Sequence, residues 1–418
     1  MDQWGTAHYN SGAAAIGWPV KPILVSWFPH GPHPTLHPRS KVAMDPAAPS
    51  AILVSQTLRD LIDTQQIGAI KPILPEQIQP SSLDLRLGAR IWQLQCSFLP
   101  GAEGVVRKLG RLATAEWRMQ RDRPLVLHRG GVYLAEVEEV LELPEAVWGR
   151  GNPKSSTGRL DVFVRLLTEF GEAFDTIPPG YQGRLYLEIT PQSFHVSVRR
   201  GDRLGQVRLG RGRAEVSIDA LLAYQEAPSP LVSWSDGSPA PVEDGILPSI
   251  LLSVDLEGRG GPVGYLARRH QPPIDLARRH LPIDRYWTAM PPAPELGHVL
   301  EPEQFYIFAT RERLRIPPDV CAELVAFDAT KGELRTHYAG FIDAGFGWSA
   351  SNSSLGARLV LEIRTHDVPF LLEHGQPLFR LQFMANEKRP DLLYGADGTG
   401  SHYQMQELRL AKQFAAPS

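Results

Sequence analysis

Lys154, Ser155, Ser156 and Arg159 set two hydroxyls between two cations within six residues, in the stretch "GRGNPKSSTGRLDVF" at 149–163. Cations supply charge and hydroxyls supply hydrogen bonds, so the group suits an anionic ligand. Two glutamates, Glu188 in "YLEI" and Glu362 in "VLEI", each sit inside an apolar strand. A carboxylate there is either on a solvated face or poised by burial as a base. The stretch "YAGFIDAGFGW" at 338–348 is a glycine- and aromatic-rich hairpin with one acid, Asp343. Its backbone amides can meet a planar base edge, Asp343 can accept from a sugar hydroxyl, and Phe341 can pack on a ring. Last, "LYGADGTGSHYQMQ" at 393–406 joins glycines to Tyr394, His402, Tyr403 and Gln406 in the manner of a closing lid. Singly, each piece has a plainer explanation as an N-cap, a solvated strand, an ordinary turn or a terminal loop.

The elements that must carry these residues are mostly strands. "GGVYLAEVEEVLELP" and "QFYIFATRERLRIPP" alternate apolar and polar residues and end in proline. Helices are few. "SQTLRDLID" at Ser55–Asp63 reads as one, with Ser55 as its cap. Apolar residues at 160, 163, 166, 167, 170 and 174 predict another over 155–174, which would put Ser155 and Ser156 at its start, where free N–H groups favour an anion.

The chain also repeats itself. "ILPEQIQPSSLDLRLG" (73–88) is answered by "ILPSILLSVDLEG" (246–258), "GRLYLEI" by "ARLVLEI", and "VRRGDRLGQVRL" (198–209) by "LEHGQPLFRLQF" (372–383). Asp84 precedes Glu188 by 104 residues and Asp255 precedes Glu362 by 107. The expected organisation is a disordered N-terminal extension at 1–43, a first domain at 44–215, a Pro/Ser-rich linker at 216–245, a second domain at 246–390 and an arm or lid at 391–418. Met44 is a candidate start of translation alongside Met1. A local tandem, "LARRHQPPIDLARRHLPID" (266–284), reads as a loop duplication without chemistry.

Composition narrows the class. In 418 residues, 43 Lys and Arg nearly balance 46 Asp and Glu, so bulk charge argues against a nucleic-acid or anionic-membrane surface. Two cysteines, Cys96 and Cys321, are too few for a disulfide framework or a cysteine-based zinc site. With no apolar run of ~20 residues and no leader pattern, the expectation is a cytoplasmic protein with no membrane partner.

Taken in order, these pieces resemble the dCTP deaminases of the dUTPase-like superfamily. "SLDLRLG" (82–88), "KSSTGRL" (154–160, with Lys154 in place of arginine), "AGFIDAGF" (339–346), the Leu-Glu strands and "YQMQ" (403–406) are similar to that family's motifs. The resemblance implies two tandem dUTPase-like, jelly-roll-like β-barrels with a few short helices. It implies hydrolytic deamination of dCTP to dUTP and ammonia without zinc, Mg²⁺ arriving on the triphosphate. A buried glutamate would activate the water, Ser155 and Arg159 would hold the water and the tetrahedral centre, and Lys154 and Ser156 would face the phosphates. Ala339, Phe341, Asp343, Tyr394, His402, Tyr403 and Gln406 would bind the nucleotide. Sites between subunits of a homotrimer, and dTTP as an inhibitor, belong to the same resemblance.

The two repeats depart from the family pattern in complementary ways. The first keeps the Ser-Ser motif, but "FDTIPPGYQG" has Pro178 where the hairpin aspartate belongs. The second keeps Asp343 but has "FDATKGELR" where Ser-Ser should be. A composite site follows, with Lys154, Ser155, Ser156 and Arg159 from the first repeat and Asp343, Glu362 and the tail from the second, leaving Glu188 as the less favoured base. A dUTPase, a bifunctional deaminase-dUTPase and a non-catalytic nucleotide-binding homologue are the competing readings.

Overall fold

Period-two alternation buries every second side chain of an extended segment, and most of the chain follows that period. The computed structural model describes residues 50–244, 247–258, 260–326, 334–336, 340–350, 355–365, 367–396, 399 and 402–415, all within one compact unit. The expected extension at 1–43 and the start at Met44 lie outside the described residues.

The chain is mostly β. A ten-stranded antiparallel sheet of the first repeat runs in the order Val162–Thr168, Gln182–Pro191, Val132–Glu142, Leu83–Leu94, Arg203–Arg211, Val147–Pro153 and Thr176–Ile177, with three short strands off this path. Its ends nearly meet, because Asp175 bonds through its backbone to both Gly151 and Leu166 at 2.9 Å. The inward positions Val162, Val164, Leu166, Leu187 and Ile189 form the core of this barrel.

The second repeat makes the same pairings. Ser249–Ser253 and Val320–Ala326 flank Pro377–Ala385, Phe341–Ile342 pairs with Val320–Ala326, and Ala357–Thr365 lies between Phe305–Leu314 and Leu334–Thr336. The long strand Leu83–Leu94 bonds both halves of the first barrel, but its counterpart is split into Ser249–Ser253 and Gly264–Ala267. Gly258 and Gly260 adopt positive φ between the pieces, and the second repeat forms a six-stranded and a five-stranded sheet.

Two sequence expectations need correction. The helix expected over 155–174 is a single turn, Ser155–Gly158, followed by the strand Val162–Thr168. Asp161, at φ 55, ends the turn, and the β-branched alternation of Val162 and Val164 then decides for strand. Lys154, not Ser155, is the N-cap, and so short a turn offers no helix-start anion site. The helix Ser55–Asp63 has the expected span, yet Val54 caps it and the Ser55 hydroxyl bonds Asp391 instead.

Within 216–245, Val232–Ser233 pairs with Arg313–Leu314, and Leu231, Val232 and Ala240 are buried in the second core. The tail packs as well. Leu410, Ala411 and Phe414 join the first core, where Phe414 meets Trp287 edge-on. The tandem at 266–284 reaches back to the first repeat, pairing Ile274–Asp275 with Val196–Ser197 in parallel, and Arg199 clamps Asp275 at 2.5 and 2.9 Å. His270 and His280, at the same place in the two halves of that tandem, both have positive φ. Among the described residues, no helix is long and apolar enough to cross a membrane.

Candidate active site

The turn Ser155–Gly158 projects from the end of the strand Val147–Pro153, and it meets the strand Ala357–Thr365 of the other repeat. Lys154, Ser155 and Arg159 line one side of the resulting cleft. Phe341, Asp343 and Glu362 line the opposite side, and Tyr394, Tyr403 and Gln406 of the tail close it. Ser156 and His402 line an adjoining hollow. Ala339 lies outside the described residues.

Gly158 is a site residue that pattern reading missed. A β-carbon there would lie 2.9 Å from both Cδ and Oε1 of Glu362, so the absence of a side chain is what lets the carboxylate in. Burial pushes the Glu362 carboxyl up to about 8, with Arg159 opposing the rise and Asp161 adding to it. Its remaining accessible surface belongs to the cleft it lines.

Glu188 is placed differently. Ser97 donates to its Oε1 at 2.9 Å, Arg165 faces it across the strand pair, and it does not line the cleft. Burial raises its carboxyl too, while the Ser97 hydrogen bond and Arg165 pull the other way. The first repeat therefore covers its own glutamate, and the second leaves Glu362 open to the cleft.

Several expected ligand contacts are already engaged within the protein. Arg208, itself fully buried, donates to Asp343 Oδ1 at 2.8 Å, and Ser82 donates to Oδ2 at 3.3 Å. The Arg208 guanidinium stacks on Phe341 at 4.2 Å. Asp343 thus joins the repeats, with the motif "SLDLRLG" supplying one partner. Ser156 does not face outward: its hydroxyl is 2.7 Å from the Tyr403 hydroxyl, which also accepts from the Lys412 backbone N–H at 3.1 Å. Arg159 lies over the Tyr403 ring at 3.8 Å and donates to Gln406 Oε1 at 2.9 Å. Gln406 donates onward to the Arg358 carbonyl at 3.0 Å, which ties the tail to the glutamate strand. The Tyr394 hydroxyl titrates well above its usual range because of burial.

Cations gather at the mouth. Lys154 pairs with the buried Asp84, and Arg203 lies 3.6 Å from the same carboxylate. Lys412 donates to His402 Nε2 at 3.2 Å. Burial, then the charges of Lys154, Arg279 and Arg203, push Lys412 down to about 8. Burial and the same cations, with Lys412 foremost, push His402 down to about 4, although its outer edge is exposed. The tandem at 266–284 thus adds positive charge near the tail through Arg279.

Comparison with known proteins shows the family. The model of the 2'-deoxycytidine 5'-triphosphate deaminase (DCD) N-terminal domain matches residues 49–213, and that of the C-terminal domain matches 219–414. The "dCTP deaminase, dUMP-forming" of Thermobifida fusca is 34% identical over 152 residues, 36% of this chain and 74% of the relative. That of Acidothermus cellulolyticus is 31% identical over 177 residues, 40% and 87% of the two chains. The crystal structure of 2'-deoxycytidine 5'-triphosphate deaminase from Agrobacterium tumefaciens superposes with a TM-score of 0.75 at 38% identity, covering 82% of this chain and 99% of that one. This chain belongs to the dCTP deaminase family.

Proposed function

We propose that the cleft hydrolyses dCTP to dUTP and ammonia, within two tandem dUTPase-like barrels. One observation carries the reading: a carboxylate held protonated near neutrality is packed against a glycine in the turn that presents Ser155 and Arg159. In its ionised form Glu362 takes a proton from water as that water adds to C4 of the cytosine, and it delivers the proton to N3. Ser155 holds the water, and Arg159, braced by Tyr403 and Gln406, stabilises the tetrahedral centre. The C4 hydroxyl then gives up its proton, relayed by Glu362 to the amino group, and the C4–N bond breaks to release ammonia as the C4 carbonyl forms.

The triphosphate lies toward Lys154, Arg203, Arg279, Lys412 and His402, and Mg²⁺ enters bound to it. Asp343 serves through Arg208 by holding Phe341 and the turn beside the base. Residues of both repeats line this cleft.

A second reading carries dUTP on to dUMP and pyrophosphate, the product named for the two curated relatives. Asp343 is occupied by Arg208 and Ser82, which argues against its orienting a water at the α-phosphate. Purified protein with Mg²⁺ and dCTP, CTP or dCMP tests both. Ammonia and dUTP from dCTP alone are expected. Pyrophosphate with dUMP supports the second reading, and dCTP binding without any product overturns both.

A further inference from the structure

Beyond the cleft lining, the two repeats are joined by a second buried charge contact. Arg364, two residues past Glu362 on the same strand, pairs through Nη2 with Asp161 of the first repeat. Asp161 is fully buried and Arg364 nearly so. Ser193 donates to the same Asp161 oxygen and accepts from Arg364 at 3.2 Å, while Arg364 Nη1 donates to the Glu303 carbonyl at 2.8 Å. Asp161 ends the turn that carries Ser155, Gly158 and Arg159, and its own N–H bonds the Gly158 carbonyl at 2.8 Å.

The equivalent position in the first repeat, two residues past Glu188, is Thr190. The arginine is therefore no requirement of the repeated strand. It occurs where the strand meets the other repeat's turn.

We propose that the Asp161–Arg364 pair is a positioning device, which locks the turn bearing Ser155 and Arg159 in register with the strand bearing Glu362. The proposal rests on the deaminase reading of the cleft. Geometry supports it at three points: both partners flank the reacting groups in sequence, the contact is buried, and Gly158 of the same turn lies against Glu362 of the same strand. The pair also sets the field at the base. Arg159 and Asp161, both from the turn, act on the Glu362 carboxyl, and Arg364 acts on it through its pairing with Asp161. Lys154 and Asp343 line the same cleft, with the phenols Tyr394 and Tyr403.

Three variants of the full chain test this: Asp161→Asn, Arg364→Met, and the double variant, which leaves no buried charge unpaired and so protects the fold. Removing the Asp161 charge should move the pH midpoint of kcat downward, and removing the Arg364 charge should move it upward. The double variant should lose roughly 10-fold or more in kcat with KM for dCTP within about 3-fold. Midpoints that stay in place, or a double variant with wild-type kcat, overturn the proposal. A titration of the Glu362 carboxyl by carbon-13 NMR reports the same opposite shifts without turnover. If wild-type protein releases no ammonia, the deaminase reading fails, and this titration still decides the positioning role.

Discussion

Gly158 and Glu362 come from different repeats, yet a β-carbon at 158 would sit 2.9 Å from two atoms of the glutamate's carboxyl group. The obstructed atoms are the far end of a flexible side chain, so the fold can yield where the chemistry cannot. Gly158→Ala is expected to lower kcat at least ~100-fold, because the displaced carboxylate no longer reaches the water. Its Tm should fall only slightly, since the φ at 158 is not in the left-handed region. Ammonia release and a melting curve check the two halves of this expectation.

Glu362→Gln should abolish turnover, by ~10³-fold or more, whereas Glu188→Gln should keep kcat within ~3-fold. The same substitution has a stability signature. With the native carboxyl raised to about 8, the folded protein holds a proton that the unfolded chain releases near ~4.3. That stability is complete below the unfolded value and is lost as pH rises to about 8, by on the order of a few kcal/mol at most. Glu362→Gln should therefore melt above wild type at pH 8.5 and converge with it in acid. Activity surviving in Glu362→Gln but lost in Glu188→Gln would reverse the assignment of the base.

The two serines should separate in kinetics. Ser155 is exposed in the cleft, while Ser156 is buried against the Tyr403 hydroxyl. Ser155→Ala should depress kcat by ~10²-fold with KM little changed, because the contact is made to the reacting centre. Ser156→Ala leaves Tyr403 with the Lys412 N–H alone and loosens the tail, so KM should rise by about 3- to 10-fold with a smaller change in kcat. A reversed pattern would place Ser156 at the chemistry.

How far these features were legible in the sequence depends on the range of the interactions behind them. "GGVYLAEVEEVLELP" and "QFYIFATRERLRIPP" alternate locally, and they fold as the strands Val132–Glu142 and Phe305–Leu314. The turn after Lys154 misleads because Leu160, Phe163, Leu166 and Leu167 suit a helical period, while the deciding pattern is Val162, Val164 and Leu166 buried in the first barrel. Contacts across the repeats leave no local signal. Arg208 meets Asp343 from 135 residues away and Asp161 meets Arg364 from 203. Gly158 looks like a helix breaker until Glu362 is seen behind it, and Arg279 looks like a duplicated loop residue until Lys412 responds to its charge.

The cation cluster yields the last prediction. Lys412 is held down to about 8 by burial and by Lys154, Arg279 and Arg203, so near pH 8 a sizeable fraction of it is neutral. A triphosphate beside it stabilises the charged form, and binding must then draw a proton from solution. Calorimetry of dCTP binding at pH 8, in buffers of different ionisation enthalpy, should show this uptake. Glu362 also titrates near 8, so the measurement belongs in the Glu362→Gln background, where turnover is absent too. Lys412→Met should remove the uptake and weaken binding by roughly 10-fold, with a shallower dependence on salt. His402, held down to about 4, stays mostly neutral at this pH in the free protein, and His402→Gln should retain most of the uptake. Uptake unchanged in Lys412→Met would mean that the phosphates lie away from the tail, along the Lys154 and Arg203 side alone.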